Sequence, residues 1–523
     1  AAEYGLDDPS FSTQSNFFDY DVDGDLDMYL VNHPIDWNNK NIIMTEEQEQ
    51  VGFLYEYSDK LYENDGSNHF SDITQEAGIL NRAWGLSASI GDFNGDRLPD
   101  LYVANDFIKP DFLYINNGDG TFSDRLPEYF RHISFYSMGS DYADINNDGL
   151  NDLYVLDMAM RSHARSKQNM GSMSTENFQT IIQRGYHYPY SSNTLHLNLG
   201  SQVPFTDIAQ LAGVDKTDWS WAPLLIDLDN DGFKDIFVSN GIYRDIIDND
   251  FQIKKVAYDD TTDNTQYFED LLADIHQTKV RNFFFRNSGV LSFEDVSEAR
   301  GITEATNSNG AANADLDQDG DLDLVTNNLN EPSAIYENLS ESTSQNNYLQ
   351  VELRGSKTKR NGLGASLEIA YKGQIQRQDA FVARGYLSSS EYKLHFGLGK
   401  EKEIDRLTIN WPDGKQSIVK GVAVNTLVTV DYSDAVVPGQ NGHPLDQPWA
   451  EDITALLGLQ HLHEEAVYND FQQELLLPHK LSENGPFVSV ADVDNNGYED
   501  FYVGGAAGFP GAIYLQSSTG SFP

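Results

Sequence analysis

The chain has 523 residues and carries 82 Asp and Glu against 34 Lys and Arg, a formal net charge of −48. Such a surplus repels phosphate backbones and anionic headgroups, which excludes nucleic acid as a partner class. There is no cysteine, so disulfides, thiolate catalysis and Cys-ligated zinc are excluded together, and no apolar run of about 18 residues predicts a membrane-spanning helix.

The first informative element is DYDVDGDLD (19–27), which runs directly into the apolar MYLVN. It recurs as DFNGDRLPD (92–100), DINNDGLND (144–152), DLDNDGFKD (227–235), DLDQDGDLD (315–323) and DVDNNGYED (492–500), each followed by a short apolar strand. The shared template is D-x-[DN]-x-[DN]-G-x-x-D, with Arg97 in the glycine position of the second copy. Carboxylates crowded in this way repel one another unless a cation neutralises them.

Positions 1, 3, 5 and 9 offer side-chain oxygens, position 7 a backbone carbonyl, and Gly at position 6 the sharp turn. Hard oxygen donors in a short loop favour calcium. The pattern assigns as calcium ligands Asp19, Asp21, Asp23, Asp25 and Asp27 in the first loop, and Asp92, Asn94, Asp96, Leu98 and Asp100 in the second. It assigns Asp144, Asn146, Asp148, Leu150 and Asp152 in the third, and Asp227, Asp229, Asp231, Phe233 and Asp235 in the fourth. The fifth contributes Asp315, Asp317, Asp319, Asp321 and Asp323, and the sixth Asp492, Asp494, Asn496, Tyr498 and Asp500.

An EF-hand would need Glu at position 12 and a following helix. That position holds Leu30, Val103, Val155, Val238, Thr326 and Val503 instead, within the apolar runs. The competing reading is a set of metal-free Asp/Asn/Gly turns. Six copies with one donor spacing favour the ion, in a structural role, about one per loop.

Most copies are trailed by a second half-repeat: LYENDGSNHFSDI (61–73), LYINNGDGTFSD (113–124), LHLNLGSQVPFTDI (195–208) and FFRNSGVLSFEDV (284–296). Each reads as two short strands around an Asn/Gly turn. Every unit therefore supplies about four antiparallel strands, and such units arrange radially as propeller blades. The expected architecture is all-β, with a propeller over 1–340 that would be seven-bladed when complete. Insertions at 33–57, 158–192 and 245–280 are expected to decorate one face and build a binding surface. AAEYGL at the start matches the blade-ending QEAGI (75–79) and QLAGV (210–214), so residue 1 is expected to follow a missing blade.

From Asn347 the acidic loops stop. Alternating apolar residues (Leu349, Val351, Leu353; Leu407, Ile409, Trp411) indicate a small β-sandwich or barrel over 346–432. HFGLG (395–399) opens no helix, so a tight turn is preferred there over a phosphate loop. Residues 433–450 read as a linker, and 451–523 as the start of a second propeller ending within a hairpin.

The acidic loops resemble the FG-GAP/VCBS propeller repeats, whose calcium loops in integrin α-chains follow the same pattern. NGLGA (361–365), GYLSS (385–389), LHFGLG (394–399) and INWPDGK (409–415) resemble the ASPIC/UnbV domain of the cartilage acidic protein family. The layout, with TDWSWAPLLIDLDNDGFKDIFVSNG (217–241), is similar to long surface proteins of Bacteroidota. That resemblance implies an outer-membrane lipoprotein or secreted protein beside a SusC/SusD-like uptake complex, with a glycan or peptide ligand.

For chemistry, no G-x-S-x-G, H-E-x-x-H, Walker or Rossmann fingerprint occurs. HLH (461–463) reads as incidental, and Trp219 and Trp221 as buried between blades rather than as a sugar platform. RGYHYPY (184–190) lies in an insertion and is the better candidate for a ligand face. Arg161, Arg165 and Lys167 form a basic patch suited equally to an anionic polymer or to internal ion pairs. Two functions follow: a calcium-stabilised binding or scaffold protein, and, as the alternative, a calcium-containing polysaccharide lyase, which would need a base and a carboxylate-neutralising group in one pocket.

Overall fold

The computed structural model describes residues 1–34, 55–67, 69–169, 175–200, 203–258, 275, 278–355, 361–437 and 485–522, with scattered residues between 454 and 482. Two compact units result, Ala1–Pro438 and Gly439–Pro523. Part of the expected insertions at 33–57, 158–192 and 245–280, and most of the expected linker 433–450, lie outside the described residues.

The first unit opens with repeat sheets of the propeller type. Ser12–Phe18, Asp27–Asn32, Lys60–Asn64 and Phe70–Asp72 form the first blade, a four-stranded antiparallel sheet in chain order. Trp84–Gly91, Asp100–Asp106, Phe112–Asn116 and Phe122–Asp124 form the second, and Ser140–Ala143, Asp152–Val155, Thr194–Leu197 and Thr206–Asp207 the third. The fourth comprises Asp218–Ile226, Asp235–Asn240, Phe283–Asn287 and Phe293–Asp295, joined at its edge by Met158–Ala159 from the third blade's insertion.

The fifth blade departs from the expected four strands. Only Ser308–Ala314, Asp323–Asn328 and Ala334–Tyr336 pair there, because the chain then turns through the short helix Ser340–Thr343 toward the next domain. The first strands of successive blades lie side by side. Blades therefore pack face on face, and strands such as Trp84–Gly91 and Asp235–Asn240 are buried along their whole length. This is why they read as continuous apolar or small-residue runs rather than as alternating ones.

Two glycines mark the close approaches. Gly78 takes φ +76°, and a Cβ there would stand 3.2 Å from the Phe122 carbonyl of the second blade. The neighbouring Ala77 carbonyl accepts the Phe122 N–H at 2.8 Å, so the end of one blade is sewn to the outer strand of the next. A Cβ on Gly139 would meet the Trp221 carbonyl at 2.0 Å, which leaves room for no side chain between the third and fourth blades.

Residues 347–431 form a β-sandwich. One sheet orders Leu394–Gly399, Asn347–Arg354 and Thr426–Asp431, the last two parallel. The other orders Gln374–Asp379, Ser366–Tyr371, Glu403–Asn410 and Gln416–Ala423. Leu349, Val351, Leu367, Ile369, Leu407, Ile409 and Trp411 fill the space between them, the alternate-residue burial of a two-sided strand.

Sandwich and blades interlock through residues 377–391. Arg384 places Nε 2.9 Å and Nη2 2.6 Å from the Asp141 carboxylate, and Nη2 also donates to the Leu225 carbonyl. Gly385 donates its N–H to the Ser140 carbonyl at 3.1 Å, and Ser390 Oγ donates to Asn313 Oδ1 at 2.8 Å. The Tyr386 ring lies 4.9 Å from that of Trp221. One loop thus touches the first strands of the third, fourth and fifth blades.

In the second unit, Val488–Ala491, Asp500–Val503 and Ala512–Tyr514 form a three-stranded antiparallel sheet around the sixth acidic loop. Among the described residues no helix is long and apolar enough to cross a membrane.

Candidate metal centres

All six acidic loops join the first strand of a sheet to the second and take the same backbone course. Position 6 has positive φ in every copy: Gly24, Arg97, Gly149, Gly232, Gly320 and Gly497. Position 4 does so as well, through Val22, Gly95, Asn147, Asn230, Gln318 and Asn495. The position-5 side chain then accepts the N–H of position 7 in each loop: Asp23 from Asp25, Asp96 from Leu98, Asp148 from Leu150, Asp231 from Phe233, Asp319 from Asp321 and Asn496 from Tyr498, at 2.8–3.2 Å. No helix follows, since position 12 lies in a strand in all six copies.

Position 9 has a role that its assignment as an ion ligand does not capture. Asp100 accepts the N–H of Phe93 at 2.8 Å with one oxygen and that of Asn116 at 2.8 Å with the other. Asp27 holds Tyr20 and Asn64 in the same manner, Asp152 holds Ile145 and Asn198, and Asp235 holds Leu228 and Asn287. Asp323 holds Leu316 and Asn338, and Asp500 holds Val493 and Gln516. This aspartate brackets the loop to the third strand with or without an ion.

The asparagine facing it was not singled out by the sequence, although it recurs in ENDG, NNGD, NLGS, NSGV and ENLS. Its side chain crosses between blades. Asn116 Nδ2 reaches the Tyr20 carbonyl at 2.7 Å, Asn287 Nδ2 the Ile145 carbonyl at 2.9 Å, and Asn338 Nδ2 the Leu228 carbonyl at 2.7 Å. In each pair the acceptor belongs to the acidic loop of the preceding blade.

Four loops bring three acidic groups within 4.8 Å of one another: Asp19, Asp21 and Asp27; Asp227, Asp229 and Asp235; Asp315, Asp317 and Asp319; and Asp492, Asp494 and Asp500. The fifth loop adds a second group of Asp319, Asp321 and Glu341, the last from the helix that follows the fifth blade. Nothing in the nine-residue template points to Glu341. The second and third loops have an amide at position 3, and there Asn94 Nδ2 donates to Asp96 at 2.8 Å and Asn146 Nδ2 to Asp148 at 2.9 Å. Their first aspartates, Asp92 and Asp144, each accept three backbone N–H groups from positions 4–6.

The electrostatics fit a cation. Burial, reinforced by neighbouring carboxylates, pushes Asp25 up to about 6. Burial lifts Asp27 to about 7 and Asp100 to about 8 despite their backbone donors, and drives Asp152 and Asp235 well above the usual range. Asp25 Oδ1, Asp315 Oδ1 and Asp321 Oδ1 are buried without a hydrogen-bond partner, a costly state for a carboxylate oxygen unless a ligand meets it. Oxygen donors with this spacing suit a hard divalent ion.

The fourth loop differs. Arg286 Nε lies 2.9 Å from Asp229 and its Nη2 3.1 Å from Asp231, while Arg300 stands 3.7 Å from Asp229.

The remaining sequence candidates separate cleanly. Trp219 is buried, and Trp221 packs on Tyr386 and donates Nε1–H to the Gly241 carbonyl at 2.6 Å. Arg165 is committed to Asp218 at 2.7 Å and Asp245 at 3.0 Å, and Arg161 to Asp295 at 3.4 Å, so these two arginines are spent on internal pairs. Tyr188 and Tyr190 are about half exposed, at 45% and 50%, beside the Phe178 ring. Among the described residues no three-donor group includes His461 or His463.

Comparison with known proteins places these parts. Residues 19–103 and 92–155 match the FG-GAP-like repeat, and residues 355–437 match the ASPIC and UnbV family. The chain is 25% identical to cartilage acidic protein 1 of Xenopus tropicalis over 390 residues, covering 69% of this chain and 47% of that protein. Against the Homo sapiens protein the identity is 24% over 384 residues, 69% of this chain and 46% of the other. The chain thus spans about half the length of the curated relatives it matches. Among solved structures, an Agrocybe aegerita lectin that recognises non-reducing terminal N-acetylglucosamine aligns at TM-score 0.28 and 14% identity, over 63% of this chain and 67% of that one. The V. cholerae biofilm matrix protein Bap1 aligns at TM-score 0.30 and 10% identity, over 80% and 60%. Likenesses this loose decide nothing about ligand.

Proposed function

We propose that this chain of FG-GAP-like repeats and an ASPIC/UnbV domain is a calcium-stabilised, surface-exposed or secreted binding or scaffold protein. The observation that carries the reading is the repeated loop, with acidic side chains gathered within 4.8 Å in four of its six copies. Calcium there would supply the positive charge that joins positions 1, 3 and 9, or positions 1, 3 and 5 in the fifth loop. The chain's own contribution is to hold those oxygens in place through the position-9 bracket and the position-5 cap. Because the donors belong to loops leading into strands, with Glu341 added from the short helix after the fifth blade, the ion acts on stability rather than on a substrate.

The ligand face proposed is the insertion of the third blade, where Tyr188 and Tyr190 present half-exposed rings that the blade core does not use. Flat aromatic surfaces of this kind suit sugar rings or aromatic peptide side chains. The ligand proposed for that face is a glycan or peptide nutrient handed to a SusC/SusD-like complex, a partnership that rests on the resemblance of layout alone.

The deciding measurement is thermal melting with and without chelator, followed by calcium re-addition. A clear fall in Tm restored by calcium supports the reading, and indifference to chelator overturns the ionic part. For the ligand face, saturable binding to a polysaccharide panel should vanish in the Tyr188→Ala, Tyr190→Ala double variant at unchanged Tm. Release of unsaturated sugar from uronate-rich polymers would establish a lyase instead.

A further inference from the structure

The residue immediately before each bracket asparagine varies from blade to blade. It is Glu63 in the first blade, Ile115 in the second, Leu197 in the third, Arg286 in the fourth and Glu337 in the fifth, with Leu515 before Gln516 in the second unit. In the first blade this slot adds negative charge, and Glu63 accepts a hydrogen bond from Tyr20 of the loop. In the fourth it supplies a cation.

We propose that Arg286 takes the place of the divalent ion in the fourth loop, so that this loop folds without calcium while its neighbours require it. The guanidinium spans positions 3 and 5, at 2.9 Å from Asp229 Oδ2 and 3.1 Å from Asp231 Oδ2, the two side chains that a bound ion would draw together. Arg300, from the blade-ending segment, adds a second positive charge 3.7 Å from Asp229. Asp229 is nearly buried, with 8% of its side chain exposed, so its pairing is poorly screened. A planar fork that meets two carboxylates does geometrically what a multidentate ion does, and it carries its charge at every pH of interest. A divalent ion entering the loop would be set beside two guanidinium groups and would be repelled by both. Asp229 Oδ1 keeps no hydrogen-bond partner, and it is the oxygen an ion would use once the arginine is removed.

This inference rests on the calcium reading above and corrects it for Asp227, Asp229, Asp231, Phe233 and Asp235. The test is a calcium count by equilibrium dialysis with elemental analysis on the whole chain, its Arg286→Gln variant and its Asp229→Asn variant. Arg286→Gln should bind one more calcium than the parent, and Asp229→Asn should bind the same number. An unchanged count in Arg286→Gln, or the loss of one ion in Asp229→Asn, overturns the proposal while leaving calcium at the other loops intact. A parent chain with no bound calcium overturns the reading beneath it as well.

Discussion

Asn116 in the second blade donates its Nδ2–H to the carbonyl of Tyr20 in the first at 2.7 Å, across 96 residues of sequence. The same amide reaches the Pro99 carbonyl at 3.3 Å. Replacing it with Ala leaves two carbonyls without their donor in a buried seam, which costs about 2–4 kcal/mol. Asn116→Ala should therefore lower the denaturation midpoint by an amount that a substitution at exposed Asn117 does not match.

The pair Arg384–Asp141 ties the sandwich to the third blade, with the Asp141 side chain only 3% exposed. Arg384→Ala strands that carboxylate and should destabilise by about 3–5 kcal/mol. Arg384→Lys should recover little, because one ammonium cannot reproduce the two-pronged contact. Limited proteolysis supplies the second readout: cleavage within 380–391 should accelerate in both variants.

Val22 occupies position 4 of the first loop at φ +62°, a conformation hostile to a β-branched side chain. Three other loops place asparagine at this position, at 147, 230 and 495. Val22→Asn should stabilise the protein by about 1 kcal/mol, read as a higher denaturant midpoint with the calcium count unchanged.

His196 is buried beside the Phe130 ring and near His132, His187 and Asp207; burial holds its imidazole down to about 3. The unfolded chain titrates near 6.5, so the folded state binds fewer protons between those values. Its share of stability is complete above about pH 6.5 and is lost as pH falls toward about 3, by roughly 1.4 kcal/mol per unit. His196→Phe removes that term. Relative to the parent, the variant should gain about 2 kcal/mol between pH 7 and pH 5, with the acidic loops cancelling in the difference.

The loops and strands were legible in the sequence because their causes are local. A side-chain oxygen at every second position, a glycine at position 6 and an apolar run announce turn and strand in the same few residues. The asparagine bracket was visible as a recurrent letter but read only as turn chemistry, since its partners are a loop and a preceding blade that no local pattern connects. Position 4 hid because Val22 and Gln318 are not residues that favour positive φ. The packing of Trp221 on Tyr386, like the joining of Arg165 to Asp245, depends on segments brought together only by the finished fold.

The ionic fit of each loop was partly legible too. Counting acids within nine residues gives four for the fourth loop and five for the fifth, a gap too small to set their ionic fit apart. The difference comes from outside that window, through Arg286 and Arg300 in one case and Glu341 in the other.

The loop that carries Arg384 has a consequence for how this protein is made. Ribosomal synthesis releases the third, fourth and fifth blades before residues 384–391, whose contacts complete their first strands. Those blades must stand partly unlatched while the remaining segment emerges, and their last cooperative step waits for a part of the chain more than two hundred residues downstream of Asp141. A nascent chain halted before Arg384 should accordingly lean on chaperones in a way that the released product does not.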